Sequence, residues 1–166
     1  MITAQALALC IFAAAQTYSV PAPVLLGILH VEGGRVGQAV SNTNGTHDLG
    51  PMQINTLWMP ELAGHWRVPQ ARALQMVRDD ACINIGVGAW ILRKKMNDTG
   101  SLYEGIAWYH SATPKFGHKY RNKVLNAMQN YRLVRQPSDL VSAHARASAA
   151  VGRRSTQGAQ TRQARN

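Results

Sequence analysis

The sequence predicts an all-α domain carrying one long ordered loop, and three observations point there. Apolar positions recur at helical spacing in nearly every segment, between recognisable helix starts and stops. Residues 35–54 break that pattern with Gly, Asn and Thr, leaving room only for short strands. The chain has 166 residues and is 46% hydrophobic, enough for one buried core in one domain. This composition excludes a wholly disordered, coiled-coil or collagen-like chain. No apolar run reaches the roughly 18 residues that predict an ordinary membrane span.

The first helix is expected at about 3–18, with Ala6, Cys10 and Ala14 on one face. A rival reading takes Ala6 to Ala15 as the apolar part of a signal peptide, cleaved after Ala13-Ala14-Ala15, although the usual basic n-region is absent. Ser19 and the pair Pro21 and Pro23 open a second helix, since proline is tolerated in a first turn. Gly33-Gly34 stop it. Further helices are expected at about 55–63, 69–78 and 80–96, before a break at Asn97-Asp98-Thr99-Gly100. Ser101-Leu102-Tyr103-Glu104 reads as a capping box opening a helix to about Ser111. Pro114 precedes a last helix at about 115–134. Residues 136–166 are rich in Ala, Gln, Ser and Arg and lack aromatics, so a folded domain over 1–135 and a disordered basic tail are expected.

The chain carries 18 Lys plus Arg against 8 Asp plus Glu, a formal +10, divided as +6 on 1–135 and +4 on the tail. An anionic partner fits this balance: nucleic acid, lipid headgroups or a cell-wall polymer. The scarcity of acids says more. Glu32 is the one carboxylate side chain in residues 1–34, which hold no Lys or Arg. Leu25, Ile28, Leu29 and Glu32 share a helix face. Desolvation there would raise the carboxyl pKa, as a general acid near neutral pH requires. A plain helix-end Glu, exposed or paired with Arg35, is the alternative. Gln53 offers a donor and an acceptor after the Gly50 turn. Ile106-Ala107-Trp108-Tyr109-His110-Ser111 sets aromatic faces beside polar tips, a combination that suits sugar rings. Singly, Gln53 could equally cap a helix and Tyr109 could be a core tyrosine.

The order Glu-Gly-Gly (32–34), Gly-Pro-Met-Gln-Ile (50–54) and Ala-Trp-Tyr-His-Ser (107–111) resembles the family 1 soluble lytic transglycosylases. The likeness spans about residues 5–134 and is greatest to the small enzymes accompanying type IV secretion, conjugation and pilus systems. It implies a lysozyme-like fold, with Glu32 as catalytic acid/base and Ser41 near the scissile bond. It further implies that Gln53 binds the N-acetylated sugar and that Tyr109 hydrogen-bonds the catalytic carboxylate. His110 falls in the sugar-binding segment, and Asp48 stands where this subgroup often carries an acid. Related enzymes also pair cysteines at the places of Cys10 and Cys82, which by themselves could be two buried thiols. Gly33 replaces the usual Ser, Pro51 the usual Leu, and Tyr109-His110-Ser111-Ala112 the usual Tyr-Asn-x-Gly.

The resemblance implies cleavage of the β-1,4 bond between N-acetylmuramic acid and N-acetylglucosamine, leaving 1,6-anhydro ends. It calls for no cofactor, and the histidines lack metal-ligand spacing. The expected partners are peptidoglycan strands and components of an envelope-spanning machine, in the periplasm or envelope, although the chain shows no clear export signal. Nucleic acid is not expected. The alternatives are a lysozyme-type hydrolase on the same fold, a non-catalytic secretion scaffold, and a basic nucleic-acid-binding protein.

Overall fold

In the computed structural model the described residues are 3–134 and Asp139. The helix α1, Ala4–Tyr18, starts where the Thr3 hydroxyl accepts from the Ala6 amide and lays Cys10, Ile11, Ala14 and Ala15 into the core. The helix α2, Ala22–Glu32, follows Pro21 and buries Val24, Leu25 and Ile28. Three short antiparallel strands come next, β1 (Ala39–Ser41), β2 (His47–Leu49) and β3 (Ile54–Asn55), in the order β1-β2-β3. Ala39 pairs with Leu49, and Asp48 with Asn55. The loop expected at 35–54 is therefore a small sheet with tight connections.

The segment expected as one helix at 55–63 is two elements. Asn55 Oδ1 accepts from the Leu57 amide and holds a 3-10 turn, Thr56–Trp58, ahead of α3, Met59–Trp66. The helix α4 spans Gln70–Asp79 and α5 spans Ala81–Thr99. The helix α5 runs through the break expected at 97–100. Thr99 Oγ1 donates back to the Lys95 carbonyl, and Gly100 takes the left-handed cap only afterwards. The helices α6, Leu102–His110, and α7, Pro114–Asn130, complete the described fold. Only half of the capping box forms. Ser101 Oγ accepts from the Glu104 amide, but the Glu104 carboxylate turns to Arg121 (2.5 Å) and His118 (3.4 Å) on α7. A charged partner on a neighbouring helix outweighs a local cap. Asp139 apart, the expected tail lies outside the described residues.

The helix α5 packs against α1, α6 and the sheet, while α2 packs on α7. Leu25, Ile28, Ile85, Leu92, Ile106 and Met128 are wholly buried where these helices meet. Arg93 of α5 donates to the Tyr18 carbonyl (2.7 Å) and to the Ser19 carbonyl, satisfying the end of α1. Cys10 and Cys82 are joined by a disulfide across 72 positions, which fastens α1 to the start of α5. Reduction is expected to lower stability by about 4 kcal/mol through loop entropy. Urea unfolding with and without a thiol reductant reads this as a fall in the midpoint.

Candidate active site

Glu32 is the last residue of α2, half-buried at the floor of a cleft of about 280 Å³. Two glycines after it let the chain turn back over the site. Gly33 holds the left-handed cap at φ 60. Gly34 lies so close to the next loop that a Cβ there would stand 2.1 Å from the Gly50 carbonyl oxygen and 2.4 Å from Gln53 Nε2. The Gly-Pro-Met-Gln segment is thereby pressed directly against the end of α2.

That segment is held from below by Asn84 of α5, the one wholly buried polar residue among the described ones. Asn84 Oδ1 accepts from the Met52 amide (2.7 Å), and Nδ2 donates to the carbonyls of Leu49 (2.9 Å) and Val77 (3.0 Å). Gln53 sits at φ 48, a left-handed conformation kept by its surroundings, and its Nε2 donates to the Gly50 carbonyl at 2.8 Å.

The cleft brings together five residues singled out in the sequence: Glu32, Asp48, Gln53, Tyr109 and His110. Ser41 is not among its lining residues. It lies exposed on the outer strand β1, paired with His47. The sequence did not point to Asn55, Trp58 and Ile91, which also line the cleft. Asn55 Nδ2 donates to Asp48 Oδ1 at 2.8 Å, so the opposed strand residues form a polar pair in the wall.

The structure corrects one expected contact. Tyr109 does not bond Glu32: its hydroxyl donates to the Met52 carbonyl at 3.1 Å. The hydroxyl that reaches Glu32 is that of Tyr120 on α7, donating to Oε1 at 2.5 Å. The Tyr120 ring lies parallel to His110 on one contact (4.8 Å between centroids) and to Tyr109 on the other (6.3 Å). Sequence reading missed Tyr120 because Gly117, Tyr120, Val124 and Met128 look like an ordinary core stripe of α7. The one available signal was a phenol on that stripe, which needs a partner when buried.

Burial pushes the Glu32 carboxyl from its ordinary 4.5 up to about 7. The Tyr120 hydrogen bond opposes the rise, nearby Asp48 adds to it, and Lys123 opposes it. Burial and Glu32 raise Tyr120 well above the usual phenol range, so it stays protonated and donates. His110 is lowered by burial and by Lys123, which favours the neutral ring in the stack. The site thus holds a carboxyl poised to give and take a proton near neutrality, with a fixed donor behind it. Among the described residues no group of three or more His, Cys, Asp or Glu is placed to hold a metal ion.

Residues 9–131 match the Transglycosylase SLT domain family. The chain belongs to this family. It is a peptidoglycan lytic transglycosylase, mostly helical with the small sheet beside the cleft. The transglycosylase is similar to the invasion protein IagB of Salmonella typhi, 29% identical over 131 residues, which are 78% of this chain and 79% of that protein. The IagB of Salmonella typhimurium strain SL1344 is 30% identical over 125 residues, 74% of this chain and 75% of its own. The substrate of the transglycosylase places its action at the cell envelope. Among the described residues no helix is long and apolar enough to cross a membrane.

Proposed function

We propose that the enzyme cleaves the β-1,4 bond between N-acetylmuramic acid and N-acetylglucosamine without water, with Glu32 as the single acid and base. The observation that carries this is the Glu32 carboxyl, held near a pKa of about 7 in the cleft and bonded by Tyr120. Protonated Glu32 gives its proton to the glycosidic oxygen, and the bond from that oxygen to the muramic C1 breaks. The substrate's own acetamide oxygen supports the electron-poor C1. Glu32, now an anion, removes the proton from the muramic C6 hydroxyl, whose oxygen bonds C1 and closes a 1,6-anhydro ring. The second step is intramolecular and gains from proximity. Gln53 and His110 offer polar contacts to the sugars, with Trp58 as an aromatic face. Ser41 would meet the glycan from the outer strand.

Asp48 supports a second reading. It is another carboxylate in the same cleft, as a lysozyme-type hydrolysis would use. Mass spectrometry of products from purified sacculi decides: anhydro ends support the lytic reading, and reducing ends, one water heavier, support hydrolysis.

The catalytic domain in this reading is residues 1–135, working in the periplasm, and the basic tail beyond it is a segment for partners. The +6 charge of residues 1–135 suits a wall polymer bearing stem-peptide carboxylates. Related proteins named for invasion support a role in opening the wall locally for an envelope-spanning secretion, conjugation or pilus apparatus.

The first step needs protonated Glu32, so kcat/KM is expected to fall as pH rises through about 7. Tyr120→Phe removes a hydrogen bond that favours the Glu32 anion. It should move that alkaline limb to higher pH and cut kcat/KM about tenfold or more. The pH profile of muropeptide release, measured beside wild type, checks both parts. A profile unchanged in position would rule out this role for Tyr120.

A further inference from the structure

The sequence has four tryptophans: Trp58, Trp66 and Trp90 are partly buried against the core, and Trp108 is exposed. Three of them are grouped on one flank, where each keeps part of its indole open to solvent. Trp66 and Trp90 line a second cavity of about 280 Å³, together with Tyr18, Glu61 and His65. That is as large as the cleft at Glu32 and near the lower end of ordinary ligand sites, about 300–1,000 Å³. The two cavities share a wall. Trp58 of the cleft meets Trp90 edge to face at 5.2 Å, and Ile91, the residue after Trp90, lines the cleft.

We propose that the cavity between α1, α3 and α5 is an accessory sugar site, which binds one N-acetylated pyranose of a wall glycan beside the catalytic cleft. The chemistry of the lining selects this ligand. Indole and phenol faces suit the apolar C–H face of a pyranose, while the Glu61 carboxylate and the His65 ring can bond its hydroxyl edge. An anionic ligand is disfavoured, because no Lys or Arg lines the cavity and Glu61 does. A cationic ligand would compete with the protein itself. Lys94 already bonds Glu61 at 2.7 Å and stands 4.9 Å from the Trp90 ring centre. An uncharged ring with polar edges is what remains. The proposal rests on the glycan reading of the cleft. It adds a second place where the same polymer is held, so that a bulky insoluble substrate is engaged at two points.

The test uses Glu32→Gln protein, to prevent turnover, with labelled indole nitrogens and tetra-N-acetylchitotetraose as the probe. Saturable shifts of the Trp66 and Trp90 indole signals alongside Trp58 support the accessory site. A shift of Trp58 with Trp66 still overturns it while leaving the glycan reading of the cleft intact. No shift at any of the three overturns both. Trp66→Ala should also weaken co-sedimentation with intact sacculi about three- to tenfold, and Trp66→Phe, which keeps a ring face, should restore most of it. Undiminished binding by a Trp66→Ala protein with a normal thermal transition counts against the site. His65→Ala changes an exposed side chain and carries little folding risk, and a loss of about twofold or more is expected there. Binding equal to the parent would exclude the hydroxyl contact assigned to His65.

Discussion

Glu32→Gln is expected to abolish muropeptide release, by at least about a thousandfold, while the protein stays folded. General acid and base work contributes about 10²–10⁴-fold in enzymes, and the proposed mechanism gives both steps to one group. The amide keeps the size of the side chain and can still accept from Tyr120, so α2 and the cleft should persist. It cannot give up a proton to the glycosidic oxygen. Because burial disfavours the anion of Glu32, the neutral amide should leave stability near pH 8 unchanged or slightly raised. Turbidity clearing and product analysis on sacculi, beside a urea unfolding curve, separate lost chemistry from lost fold. Activity within tenfold of wild type in a folded variant would remove Glu32 from the reaction.

Asn84→Ala is the expected stability counterpart. Its side chain is wholly buried, and all three of its hydrogen bonds go to main-chain groups of Leu49, Met52 and Val77. Truncation leaves those groups without partners, each at about 1–3 kcal/mol, partly relieved by water entering the gap. A loss of about 3 kcal/mol is expected from urea unfolding. Activity should fall further than stability alone explains. The Met52 carbonyl receives Tyr109, and Gln53 follows Met52 in the cleft wall. A loss under about 1 kcal/mol would mean that the loop holds its shape without this asparagine.

These two residues mark how far the sequence could be read. Glu32 was legible because it is the one acid in a long apolar stretch and ends a helix at a double glycine, both local features. The helices were legible for the same reason, with errors where a distant partner intervened. Glu104 left its capping box for Arg121 on another helix, and α5 ran on to Thr99. Asn84 was illegible. A polar residue in a helix looks surface-exposed until the loop that it supports is folded against it.

Tyr109 and Tyr120 show the same division. The first stands in a motif of consecutive residues and was found; the second stands alone on an apolar stripe and was not. Which of two tyrosines meets a carboxylate depends on how α6 and α7 cross, and no spacing within either helix encodes that. Composition, periodicity and three ordered motifs therefore determined the helical fold, the family and the carboxylate to suspect. Tertiary structure alone decided the Tyr120 contact, the exposed position of Ser41, the buried support from Asn84 and the second aromatic cavity. Local propensity is written in neighbouring residues, whereas burial and hydrogen-bond partnership arise only when segments far apart in sequence are packed together.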